Sequence, residues 1–116
     1  MSAHVAGPVL DRLVAVKVMG WTLEEKGKWC RWNKNDGNGG TWFPFADGRS
    51  LFGPSTNIAN AWEVVEAMED WLLSLYEDTP GTWAAAFESG NRKVQCVAAT
   101  PSLAICRAAL RAIGAA

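Results

Sequence analysis

The sequence predicts an α+β domain: an antiparallel sheet of about four strands with three helices, in the order α-β-β-α-β-β-α. Three observations carry this. Residues 10–21 and 58–75 repeat apolar side chains at three- and four-residue steps, the period of a helix with one face in a core. A third such stretch opens at Thr100-Pro101. Between the helical stretches lie two pairs of short alternating runs, each pair divided by glycine-containing turn residues, which reads as two hairpins.

The elements follow in order. Residues 1–7 are small and polar, and they read as a flexible N-terminus ahead of a single domain over residues 8–114. Pro8 suits a first helical turn; Leu10, Leu13, Val14, Val18 and Trp21 then form a stripe, and Gly20 stops it. Val16 interrupts the polar face of this helix and marks an extra contact, such as one between subunits. Residues 22–28 read as a charged connector. Residues 28–33 (KWCRWN) alternate as a strand, and Asn35, Asp36, Gly37, Asn38, Gly39 and Gly40 reverse the chain into a hairpin that joins Trp32 to Trp42. Residues 44–54 read as an irregular loop pinned by Phe45, Leu51 and Phe52.

The central helix is expected to start after Gly53-Pro54, to be capped by Ser55 or Thr56, and to run to about Tyr76. Ile58, Ala61, Trp62, Val65, Met68, Leu72 and Leu75 would face the core. Glu63, Glu66, Glu69 and Asp70 would face water. Residues 82–89 and 92–100 alternate around Gly90-Asn91, a second hairpin. Thr100 then caps a last helix with Pro101 at its first position; Leu103, Cys106, Ala109, Leu110 and Ile113 are its apolar stripe, and Arg107 and Arg111 an exposed pair. Helices layered on both faces of one sheet make an α-β-α sandwich.

Composition narrows the function classes. The net charge of −1 gives no global basic field for nucleic acid or a membrane surface. Three cysteines without CxxC spacing read as free thiols in a reducing compartment. The N-terminal residues lack the pattern of a signal peptide, and no apolar run is long enough to cross a bilayer, so a soluble intracellular protein is expected. The only histidine, His4, lies outside the predicted fold, which leaves no histidine for a catalytic triad or a zinc site within it. Residues 33–39 lack the spaced carboxylates of a calcium loop. No cofactor, no metal and no enzymatic activity are expected.

Four stretches resemble a known family: LDRLVAVKVMGW at residues 10–21, FGPSTNIANAWEVVEAME at 52–69, TWAAAF at 82–87 and AATPSLAICRAALRAI at 98–113. Together they are similar to the phage α-β-α sandwich domain family, small proteins of phages and prophages. The resemblance implies the layered fold and a phage or prophage origin. Its shared residues are core and cap positions, so it assigns no chemistry.

The seven tryptophans point to binding instead. Trp29, Trp32 and Trp42 flank the glycine turn, with Arg31, Lys34 and Arg49 nearby and Ser55, Thr56 and Asn57 at a helix start. Indoles stack on nucleobases, cations pair with phosphate, and a helix N-terminus offers free N–H groups. Two readings follow. In the first, a non-enzymatic phage or prophage protein sequesters an anionic, nucleotide-like immune signalling molecule in the host cytoplasm, as an anti-defence function. In the second, the tryptophans anchor a host protein, and the chain is an adaptor or inhibitor. Val16 and the spare aromatics also suit a homo-oligomer.

Overall fold

The computed structural model describes residues 5–34, 42–44 and 52–115. It contains helix α1 (Pro8–Lys17), strands β1 (Thr22–Lys26), β2 (Trp29–Asn33) and β3 (Phe43–Pro44), helix α2 (Ile58–Ala67), strands β4 (Leu72–Thr79), β5 (Thr82–Ser89) and β6 (Arg92–Ala98), and helix α3 (Pro101–Ala112). The fold class is the expected one, α+β with strand groups set between three helices. The strand count is higher. Among the described residues there are two three-stranded antiparallel sheets, ordered β1-β2-β3 and β4-β5-β6, where one sheet of about four strands was expected.

Both added strands come from segments read differently in the sequence. The charged connector is β1, paired with β2 so that Lys26 faces Trp29 and Glu24 faces Arg31. The reversal is made at Gly27, whose φ of +61° an L side chain rarely adopts. The second hairpin partner also forms: Cys30 faces Phe43 and Trp29 faces Pro44. The turn expected at residues 35–40 and the loop at 45–51 lie outside the described residues.

The larger correction concerns the central helix. It stops at Ala67, not near Tyr76, and residues 72–79 form β4. Leu72 and Leu75 continue the helical spacing from Met68, but residues 71–75 alternate as well, with Trp71, Leu73 and Leu75 half-buried and Leu72 and Ser74 exposed. Pairing decides between the two periods, because Leu73 lies against Phe87 and Leu75 against Ala85 on β5. The buried face of α2 is correspondingly rotated. Ala61, Val64 and Met68 are buried, whereas Ile58 and Trp62 are 42% and 44% exposed. Asn57, rather than Ser55 or Thr56, caps the helix, its side chain accepting from Ala59 N and Asn60 N.

The hairpin of β5 and β6 turns at Gly90 as expected, and α3 begins as expected, with Thr100 Oγ1 accepting from Leu103 N at 3.2 Å and Pro101 in the first turn. The core is built around α3. It packs on β5 and β6 on one side and on α2 and α1 on the other. Ser102 through Cys106, Ala108 through Leu110 and Ala112 are all buried, many more than one stripe supplies, while Ile113 is 41% exposed. Its run of alanines makes this close approach feasible, since small side chains let backbones come near. Leu10 and Val14 of α1, Val64 of α2, and Ala85 and Phe87 of β5 complete the same cluster. Arg107 and Arg111 are not merely solvated: they reach carbonyls of β6. Val16 is 42% exposed.

Gly7, the last residue of the segment read as flexible, is held by Ser55, whose Oγ accepts the Gly7 N–H at 3.0 Å.

Candidate functional site

The first hairpin presents two unlike faces. Residues of β2 alternate, so Cys30 and Trp32 point inward and are buried, while Trp29, Arg31 and Asn33 lie on the other face. Trp29 is 51% exposed. Lys26 stands across from it, and Trp42 lies just ahead of β3. A cleft of about 530 Å³ opens here, lined by Lys26, Gly27, Trp29 and Trp42. Gly27 meets nothing where a Cβ would stand, which keeps that wall low.

Arg31 is next to this cleft but its charge is already spoken for. Its Nε donates to Glu24 Oε2 at 2.7 Å, and its guanidinium lies over the Trp42 ring, 4.5 Å from the centroid. Asn33 Nδ2 donates to Glu24 Oε1 at 2.7 Å. These bonds from Arg31 and Asn33 hold the Glu24 carboxyl below its ordinary pKa. Glu24 thus fixes Arg31, and Arg31 supports Trp42.

The other predicted site residues are placed elsewhere. Trp32 is 4% exposed and packs on Trp21, with ring centroids 6.3 Å apart, so its ring is not offered to a ligand. Trp21 also meets Phe52 at 4.7 Å, and Lys34 Nζ lies 4.6 Å from its ring centroid. Arg49 lies outside the described residues. Ser55 is buried, its N–H donating to Asp11 Oδ1 at 2.7 Å. Thr56 Oγ1 lies 3.5 Å from the Gly53 carbonyl, and Asn57 is occupied with its own helix end. The helix-end donors are therefore committed to the fold. Trp29, Trp42 and Arg31 lie together; Ser55 and Trp32 do not join them.

Gly27 and Glu24 went unnoticed in the sequence because the run of charges around them reads as a solvated linker. The available signal was the Gly27-Lys28 pair between Lys26 and Trp29, a two-residue hairpin turn.

Nucleophilic chemistry has little to draw on near the cleft. Cys30 is buried, and burial pushes its thiol pKa up. Among the described residues no group of three His, Cys, Asp or Glu is placed to hold a metal ion. No helix among them is long and apolar enough to cross a membrane.

The model of the Phage ABA sandwich domain matches residues 12–110, most of the chain. The chain belongs to the Phage ABA sandwich domain family. A solved member of this fold is a phage protein from Bacillus cereus ATCC 14579, 20% identical, with a TM-score of 0.67, covering 100% of this chain and 97% of that one. At that identity the likeness shows the fold. No curated protein matches the chain in sequence. The Phage ABA sandwich match runs through the first hairpin as well as the helices and the second sheet; it gives the fold and leaves the chemistry of the cleft to be read from its own residues.

Proposed function

We propose that this phage-family chain acts by binding, without catalysis, and that the cleft at Trp29 captures a flat, anionic, nucleotide-like molecule in the host cytoplasm. Sequestration of an immune signalling nucleotide, an anti-defence role, is the sharpest form of this reading. The observation that supports it is the pairing of a half-exposed indole with a second indole and one ammonium, Lys26, around a single cleft. A base would stack on Trp29, and Lys26 would meet its phosphate. Calorimetric titration of the full chain with cyclic di- and trinucleotides and with nucleoside monophosphates tests it. Heat that disappears in Trp29→Ala is the expected result, and a flat titration across the panel refutes it.

One observation favours a second reading, a protein adaptor or inhibitor of a host factor. Among the described lining residues the cleft holds one cation, and two indoles equally suit an apolar side chain of a partner. A stoichiometric host protein retained by the wild type and lost on Trp29→Ala and Trp42→Ala would favour it.

A further inference from the structure

The two edges of the β4-β5-β6 sheet are treated differently. On β6, Arg107 Nη1 donates to the Val97 carbonyl at 2.9 Å and Arg111 Nη1 to the Gln95 carbonyl at 3.3 Å. Two arginines of α3 therefore occupy that edge. On β4, among the described residues, no side chain bonds the backbone of residues 72–76. This stretch, LLSLY, carries no charge. Leu72 is 75% and Tyr76 44% exposed. On the inward face Trp71, Leu73 and Leu75 are only partly buried, although Ala85 and Phe87 beside them on β5 are fully so. Sheets ordinarily blunt such an edge with lysine, proline or a covering segment.

We propose that β4 is the pairing edge for a second copy of this chain, antiparallel about a two-fold axis at Ser74. The strand is its own complement. Centring on Ser74 sets Leu72 opposite Tyr76 and Leu73 opposite Leu75, with every residue on its own face of the sheet. The two exposed side chains then cover each other, and the half-buried inward row is sealed by its symmetry mate. An edge takes only extended backbone, and a two-fold pairing closes on itself rather than growing into a fibre. The strip is short beside the roughly 800 Å² per partner of a standard interface, so the dimer is reversible.

Sedimentation velocity of the full chain at sub-millimolar concentration is the test. The expected result is a monomer–dimer equilibrium whose dimer fraction rises with protein concentration. Leu72→Lys and Ser74→Lys each charge an exposed side chain and should leave monomer only, with the circular dichroism of the wild type. Val16→Lys on α1 should leave the dimer intact. A wild type that remains monomeric overturns the proposal, as does a dimer that survives both β4 variants.

Discussion

The carboxylate of Asp11 on α1 accepts the backbone N–H of Ser55 at 2.7 Å, two residues ahead of the Asn57 that caps α2. Ser55 Oγ in turn accepts the Gly7 N–H. One buried carboxylate thus ties the start of the first helix to the turn that starts the second. Burial is the larger influence on its pKa and raises it; hydrogen bonds from the Ser55 side chain and N–H work against that.

Asp11→Ala removes the acceptor and leaves the buried Ser55 N–H and hydroxyl without it. The expected loss of stability is about 1–3 kcal/mol for each group so stranded. Urea unfolding followed by tryptophan fluorescence measures it. Asp11→Asn keeps one acceptor oxygen and should lose less.

The same carboxylate makes stability depend on pH. Because the folded pKa lies above the ordinary value of 3.8, the native state keeps this proton at pH values where the unfolded chain has released it. The contribution is complete below 3.8 and is lost as pH rises through the folded value. The deficit of Asp11→Asn, which cannot titrate, should therefore be greatest in acid and narrow toward neutral pH. Glu24 works in the opposite sense: its lowered pKa gives a contribution present above the ordinary glutamate range and lost as pH falls through the folded value. Urea midpoints of Asp11→Asn, Glu24→Gln and wild type across this range separate the effects.

Trp29 and Trp32 stand three residues apart and should behave oppositely. Trp29→Ala removes a half-exposed ring and should change stability by no more than about 0.5 kcal/mol while abolishing ligand heat. Trp32→Ala empties a site beside Trp21 and should destabilise by about 3–5 kcal/mol. Thermal melts set beside the titrations distinguish a binding residue from a packing one.

Ala108 is fully buried on α3. Ala108→Leu forces three extra carbons into a closely packed layer and should cost about 1–3 kcal/mol, whereas the same change at exposed Ala99 should cost little. Denaturant midpoints with unchanged slopes would confirm that packing alone is altered.

Much of this fold was legible in local signals. Thr100-Pro101, Gly90-Asn91 and the alternation of Trp83, Ala85 and Phe87 each mark a start, a turn or a face without help from the rest of the chain. The misread segments are those where two periods coexist or where charge hides alternation. Leu72 and Leu75 fit a helix and a strand equally until β5 is present to pair with. Thr22–Lys26 offers only Leu23 as an apolar residue, so nothing in it announces a sheet. The site was half-legible for the same reason. The aromatic members Trp29 and Trp42 were visible by type, but their company depends on β1, and Ser55 was drawn away by Asp11, 44 residues distant in sequence.

The helix on which β5, β6 and the other two helices rest, Pro101–Ala112, follows all the other described elements in the chain. A nascent polypeptide emerging from the ribosome therefore displays Leu10, Val14, Val64 and Phe87 with nothing to set them against until that helix is translated. A chain truncated before Pro101 should therefore fail to fold, a result that circular dichroism of the purified fragment would show.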